Sequence, residues 1–511
     1  MYPHDSRQLS FENFQFPFGG KLSPNNRWVK LAAIVPWDEA EAAYRRNFAE
    51  SGQGAPAKSC RMALGALIIQ TRIGCTDRDL VDFILESPYL QFFIGHEEFT
   101  DQPPFTASSL VEFRKRFPME SVNELSEIVA CKHIDLASGE SPTEKSDSED
   151  PPSGPGGNCG KLLVDATCAP ADITFPTDLK VLGSARENLE EVLDVLRSKR
   201  KLPGKEPRDN RKKARSSYLS AAKSKNLNGK KRRKAIRKQL GCVERNLGFV
   251  DKYLAAHPDA LTCLNKRQYK NLLVAGTVAE QQREMWDGKT HRVDDRIVSN
   301  SQPHVRPVVR GKTGKKTEFG AVLSVSVVEG YAFLDRLEWD KYNESSDLPG
   351  QCEEYRRRLG HYPESVHADK IYRTKTNRAW CAERGIRLSG PALGRPPKDP
   401  ARVESNRKQQ IQDQRDRIPV EGKFGQCKRK YGMDRVMGKL AETSATMIAM
   451  TFFVTNLMKC LAAFLFVKLI AANVLLSNGY RQASLAIFGN WWCRLKLKSV
   501  HGADERAWVQ S

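Results

Sequence analysis

The sequence predicts an α/β protein in which an all-helical N-terminal domain precedes the sheet and a basic, mainly helical insertion interrupts it. Three observations carry this. Leu162, Leu163 and Val164 in KLLVDAT form a short apolar run without helical spacing, as in a buried strand. TEFGAVLSVSVVEGYAFLDRLEW alternates apolar and polar residues on both sides of Glu329-Gly330, as in a hairpin. Ahead of the first strand, RMALGALIIQTRIG and TDRDLVDFILES repeat their apolar residues at helical intervals instead.

Residues 1–138 read as helical. Met62, Leu64, Leu67, Ile68 and Ile69 lie on one predicted helix, which Gly74 stops, and Thr76 caps the next. Two short helices joined by a Gly-containing turn suit a helix-turn-helix, and equally an αα-hairpin that only packs. SSLVEFRKRFP is a third helix, with Arg114, Lys115 and Arg116 on its polar side as candidate DNA contacts. Residues 139–158 are rich in Ser, Pro, Gly and acids, the composition of a flexible linker and the best domain boundary in the chain.

Over 159–440 strands and helices are mixed, and 186–290 is the basic, mainly helical part of that stretch. Helical patterning resumes near Ser184. Arg197 to Lys238 then carries 19 basic and 2 acidic side chains. Pro203, Gly204, Pro207 and Gly229 argue against one uninterrupted helix there. The run is a solvated excursion or a contact to a DNA backbone. Its uncompensated charge favours the second, with Lys230, Lys231, Arg232, Arg233 and Lys234 as the candidate residues. Strands return from about Arg292 to Trp339, followed by a helix at SDLPGQCEEYRRRLG, a strand at ESVHA and a short one at Ile386–Leu388. Residues 441–511 begin with an apolar segment, Met447 to Leu476. Asn456, Lys459 and Lys468 interrupt it, so a buried core helix is expected rather than a membrane span.

Composition narrows the function classes. The 511 residues are 40% hydrophobic and 28% charged, ordinary for a soluble protein, but the net charge is +21. Such a balance points to a polyanion, either nucleic acid or an anionic membrane surface. The 12 cysteines show neither a CxxC pair nor clustered histidines, which disfavours structural zinc and suits reduced thiols in the cytoplasm. MYPHDSRQLSFENF has no apolar core behind a basic start, so no signal peptide is expected.

Three carboxylates stand out. Asp165 ends the first apolar run, Asp369 follows the strand-like ESVHA, and Glu421 falls in the first turn of a helix opened by Pro419. Carboxylates delivered from separate elements are what a divalent-cation site for phosphate chemistry requires. Asp172 and Asp178 compete for that role but lie among Pro170, Pro176 and Thr177, and read as turn residues. His367, two residues before Asp369, reads as a packed histidine, with a supporting role at the site as the alternative.

The stretches SPNNRW, PYLQFFIG with PPFTASSLVEFRKRF, LLVDATCAPADITFPTD, VRPVVRGK, VHADKIYRTKTNRAW and RIPVEGKFGQCKRKYG together resemble the DDE transposases of bacterial insertion sequences, most of all the insertion-sequence-five type. Arg417, Glu421 and Lys428 match the spacing of that family's third-carboxylate signature; Gln414 stands where relatives often carry Tyr. The resemblance implies an RNase H-like domain, a mixed central sheet flanked by helices. Asp165 would lie on its first strand, Asp369 on its fourth and Glu421 on a flanking helix. It also implies two Mg²⁺ ions (Mn²⁺ as the alternative) held by those three residues, with Arg417 and Lys428 on the DNA backbone. The partners implied are double-stranded DNA at element ends and target sites, no membrane, and a homodimer in the synaptic complex of a cytoplasmic, nucleoid-associated enzyme. The rival functions are a structure-selective nuclease of the same fold and a catalytically silent basic DNA-binding protein.

Overall fold

The computed structural model describes residues 11–16, 20–48, 56–138, 157–202, 208–224, 228–309, 317–391 and 399–476. Seven helices come first: α1 (Arg27–Ala32), α2 (Trp37–Arg45), α3 (Cys60–Ile73), α4 (Asp77–Glu86), α5 (Pro88–Phe93), α6 (Ser109–Arg116) and α7 (Met119–Ser138). The first strand, β1 (Lys161–Pro170), leads into four helices, α8 (Asp178–Lys199), α9 (Arg211–Ala222), α10 (Gly229–Ala256) and α11 (Lys266–Asp287). Then come β2 (Arg306–Val309), β3 (Thr317–Val328), β4 (Tyr331–Glu338), α12 (Leu348–Leu359), β5 (Ser365–His367), α13 (Lys375–Glu383), β6 (Arg387–Leu388), α14 (Pro400–Tyr431) and α15 (Ala441–Leu476).

Local chemistry sets the boundaries. Ser59 and Thr76 accept the backbone N–H of Met62 and Asp79 and so cap α3 and α4, and Gly74, at φ 78°, ends α3 in the left-handed region. Glu329 and Gly330 are both left-handed (φ 47° and 74°), the geometry of a two-residue turn that matches strand twist. α8 starts at Asp178, earlier than the apolar pattern suggests, because Thr177 caps it by accepting from Lys180 N. Of the glycines and prolines expected to break the basic run, Gly229 instead opens the 28-residue α10, while 203–207 lie outside the described residues. The linker expected at 139–158 likewise falls outside them except for its last two positions, as does the tail beyond 476.

The sheet is mixed and flanked by helices. β3 pairs antiparallel with β1 on one side and, on the other, with β2 near its start and β4 along the rest. β5 runs parallel to β1, and β6 parallel to β5. Pairing of β1 with β3 continues to Pro170 opposite Gly320, so Asp165 sits mid-strand rather than at a strand end. Gly320 is required there, since a Cβ would collide with the Ala169 carbonyl. Asp369 follows the fifth strand in chain order, not the fourth, because the short β2 enters before the hairpin.

Two large apolar cores form among the described residues, beside a small cluster of Cys168, Val308 and Val322. The larger runs without a break from the N-terminal helices (Leu64, Ile68, Phe93, Phe113, Leu125) through the sheet (Leu162, Val164, Val325, Val327) to α14 and α15 (Phe424, Phe453, Leu457). The N-terminal helices therefore share their core with the sheet. α15 is the common wall, packing on α3, α6 and α7, on β4 and on α14. Its segment Ala441–Leu465 is long and apolar enough to cross a membrane, yet 67% of its most apolar window is buried within the protein, as in a core helix. The smaller core, with Leu189, Leu196, Val243, Tyr253 and Val278, belongs to α8, α10 and α11. It makes the insertion a packed helical unit in its own right, beginning at α8 rather than at residue 186. The cysteines among the described residues are free.

Candidate active site

β1 and β5 bring two of the carboxylates together through register alone. Leu163 pairs with His367 at the end of the parallel ladder, and two residues on, Asp165 in mid-strand and Asp369 just past β5 both come within reach of α14. Asp165 accepts the N–H of Ala166 (2.8 Å), and Asp369 accepts that of Lys370 (2.7 Å), which fixes each carboxylate against its own backbone.

α14 supplies the third. Its buried residues Asp413, Val420, Phe424, Cys427 and Tyr431 recur at helical spacing and seat it on the sheet. Arg417 and Glu421, one turn apart, flank that stripe on the side of β1 and β5. Glu421 lies deep inside this 32-residue helix rather than in its first turn, and Pro419 sits in the interior as well. Pro419 is exposed, and α14 carries it without the hydrogen bond that an N–H there would give the Arg415 carbonyl. Lys428 is half-buried two turns beyond Glu421, and Gln414 is exposed.

The guanidinium of Arg417 reaches all three acids. Nη2 is 3.6 Å from Asp165 Oδ2 and 3.3 Å from Glu421 Oε1, and Nη1 is 3.3 Å from Asp369 Oδ1. Three carboxylates around one guanidinium leave two formal negative charges uncompensated. The side chains are 16%, 51% and 63% exposed for Asp165, Asp369 and Glu421, so the site opens to solvent on the α14 side. Among the described residues no three acidic, His or Cys side chains cluster tightly enough to share an ion directly; the guanidinium stands between these. The donor set nevertheless fits a hard dication: only carboxylate oxygens, in negative excess, converging on a point already chosen by a cation.

Around them lies a polar layer that sequence reasoning only partly found. His367 is fully buried between β5 and α14, with Nε2 3.1 Å from Ser365 Oγ and Asp413 and Asp416 near its ring; burial holds its pKa below the ordinary value. Asp416 pairs with Lys161 (2.7 Å) and Asp413 with Arg387 (3.0 Å), tying α14 to β1 and β6. Tyr372 was missed. Its hydroxyl is buried without a hydrogen-bond partner, and burial, with the nearby charges of Glu344 and Asp165, pushes its pKa up. The only sequence signal for it is its place three residues after Asp369.

Several other candidates are placed elsewhere. Asp172 and Asp178 are not plain turn residues. Asp172 holds Arg435 (2.7 Å) and Lys439 (3.0 Å), and Asp178 opens α8 and holds Arg296 (2.6 Å). Arg114 is buried and bonded to Asp77 and Gln70, which removes it from any DNA-facing surface. Arg116 lies over the Phe48 ring, while Lys115 is exposed and pairs with Glu112. α3 is buried on most faces, and α4 exposes Asp79 and Asp82 with Asp77 beside them, a charge that opposes insertion into a DNA groove. The packing hairpin is the better description of α3 and α4. In the basic insertion, Lys230, Lys231, Arg232 and Lys234 are exposed on the first turns of α10, but Arg233 bonds the Trp286 carbonyl (2.7 Å) and covers its ring.

Comparison with known proteins finds two family matches and one relative. Residues 366–458 match a family described as a transposase DDE domain, a span that contains Asp369, Arg417, Glu421 and Lys428. Residues 16–116 match a family described as a transposase domain. A protein of Rhizobium meliloti described as uncharacterized protein ORF8 in the nfe locus is 27% identical over 168 residues, covering 33% of this chain and 73% of that protein. No solved structure matches. Two separate transposase families are thus matched, one across the helical N-terminal region and one across the elements that carry two of the three acids, and both support the resemblance to the DDE transposases of insertion sequences.

Proposed function

We propose that this protein binds the ends of its insertion sequence, cleaves the DNA strands there and transfers them to target DNA. The observation that carries the reading is the convergence of Asp165 on β1, Asp369 just past β5 and Glu421 on α14 on the single guanidinium of Arg417. The lane order of the sheet, three antiparallel strands followed by two parallel ones, supports an RNase H-like domain.

DDE transposases generally use divalent metal ions. Asp165, Asp369 and Glu421 would hold them here, Mg²⁺ or Mn²⁺, two in number. When bound, the ions activate a water or a DNA 3′-hydroxyl and stabilise the leaving oxygen. The protein's own residues do the rest. β1 carries Asp165 in mid-strand, and Asp369 stands two residues past the end of β5, where its own backbone holds it. Arg417 balances the acids in the free enzyme and turns to a DNA phosphate once the acids are otherwise neutralised. Lys428, farther along α14, contacts the same backbone. A homodimer assembles the two element ends, and the enzyme works on the nucleoid in the cytoplasm.

The test is incubation of purified protein with its element ends and Mg²⁺, with products read at nucleotide resolution. Nicks at the element ends followed by joined products support the reading. Hydrolysis without joining would convert it to a nuclease of the same fold, and DNA binding without cleavage to a silent DNA-binding protein.

A further inference from the structure

The basic insertion contains a groove that no catalytic role accounts for. It lies between α9 and α10, is open to solvent and has a volume of about 860 Å³. Every residue lining it is Lys, Ser or Ala; Lys212, Lys213, Lys231, Lys238, Ser216 and Ser220 are the principal ones. No carboxylate enters it.

The charges of this helical unit are sorted by residue type. Several of its arginines are used internally: Arg211 pairs with Asp194, Arg283 with Glu244, and Arg233 and Arg237 lie over Trp286. The four groove lysines form no ion pair among the described residues, and each is exposed. Ammonium groups without partners repel one another at close quarters unless an anion intervenes. Serine hydroxyls along the floor add hydrogen-bond donors that suit phosphate oxygens and read no base.

We propose that this groove seats the sugar-phosphate backbone of one DNA strand, independent of sequence, and is the anion-binding element of the insertion. The shape favours a polymer over a small anion. From Lys212 to Ala221 the lining on α9 extends over roughly 14 Å at 1.5 Å per residue, about four nucleotides of axial rise. The groove is open to solvent rather than enclosed. Of the run Lys230–Lys234, only Lys231 lines the groove. The choice of DNA as ligand rests on the transposase reading; the groove's own binding does not depend on the acids of the active site.

The experiment uses the full chain, a labelled random-sequence duplex, EDTA in place of metal, and fluorescence anisotropy across a salt series. Lys212, Lys213, Lys231 and Lys238 are changed together to Gln. A matched variant changes the exposed Lys199, Lys201, Lys252 and Lys266 to Gln, which removes the same charge outside the groove. The groove variant should bind at least about tenfold more weakly, and its slope of log affinity against log salt should become shallower by roughly 3 to 4 units. The matched variant should change little, and the fourfold Lys→Arg groove variant should bind as the wild type does. Ser216→Asp with Ser220→Asp, which leaves the lysines in place, should also weaken binding. Equal effects of the groove and matched sets would overturn the proposal in favour of bulk charge, and so would an unchanged slope in the groove variant. Because no metal is present, these outcomes are separate from cleavage: a protein that never cuts DNA can still pass this test, and a competent transposase can fail it.

Discussion

Asn456 of α15 holds both free backbone groups of Ala332 on β4: its Nδ2 donates to the Ala332 carbonyl (2.8 Å) and its Oδ1 accepts the Ala332 N–H (2.9 Å). Nδ2 also donates to Ser126 Oγ on α7 (3.0 Å). One buried amide thus completes the hydrogen bonding of a strand edge and fastens it to a helix of the N-terminal region. Asn456→Leu should destabilise the protein by about 2–4 kcal/mol, since it leaves buried backbone groups unpaired. Urea denaturation followed by far-UV circular dichroism checks this. A loss below about 1 kcal/mol would mean that β4 finds another partner.

Arg417→Gln should separate metal binding from catalysis. Removing the guanidinium leaves three carboxylates without their common counter-charge. Mn²⁺ should bind the free protein more tightly, by roughly tenfold or more for a unit charge about 4 Å away, as followed by electron paramagnetic resonance. Strand cleavage should nevertheless fall, because the contact to DNA goes with it. Weaker Mn²⁺ binding would show that Arg417 organises the acids rather than competing with a cation.

Asp165→Asn, Asp369→Asn and Glu421→Gln should each abolish cleavage, by at least about a hundredfold, while leaving duplex affinity nearly unchanged. Asp172→Asn, which breaks only exposed pairs with Arg435 and Lys439, should keep most activity. Near-normal cleavage by any of the first three removes that residue from the site.

Arg114 and Lys115 are neighbours with opposite expectations. Arg114→Ala leaves Asp77 and Gln70 without their buried partner and should cost about 1.5–3 kcal/mol of stability, since Asp77, 37% exposed, can turn to water. Lys115→Ala breaks an exposed pair and should cost less than about 1 kcal/mol. Thermal denaturation of the two proteins decides between a structural and a DNA-facing Arg114.

Stability should carry a signature of Asp335. Its side chain is 8% exposed, and burial pushes its pKa up to about 6, against the pull of Arg358, Gln351 and Ser326. A carboxyl whose folded pKa is raised binds its proton more firmly when folded. Its contribution is therefore full at low pH and is lost as pH rises from about 4 to about 6. Asp335→Asn should remove that decline, so the variant should gain on the wild type by on the order of 1–3 kcal/mol between pH 4 and pH 7. Parallel denaturation curves at the two pH values would contradict it.

Much of this was legible in the residues. Apolar runs without helical spacing located β1 and β5, the Glu329-Gly330 pair located the hairpin turn, and capping residues located α3 and α4. Asp165 and Asp369 stand on or just past short strands that the residues mark, whereas Glu421 lies deep inside the 32-residue α14. Pro419 misled the placement of Glu421, since a proline at a helix start and one tolerated on an exposed helix face look alike locally. Arg114 misled for a similar reason: its neighbours Lys115 and Arg116 make it look like a surface residue, and only Asp77, distant in sequence, buries it. The sorting of arginines from lysines in the insertion depended on Trp286, Glu244 and Asp194, contacts no local pattern contains.

The undivided larger core has a consequence for how the chain is made. Phe93, Phe113 and Leu125 leave the ribosome early, but Phe453 and Leu457, which cover the same core, are synthesised roughly 330 residues later, on the order of 15–65 s at bacterial translation speeds. Through that interval the nascent N-terminal helices display an apolar face to solvent and to chaperones. A product cut short before α15 would keep every basic residue of the insertion and both aspartates, yet lack the wall that lets either half persist, so abortive translation would yield a substrate for proteases rather than a competing DNA binder.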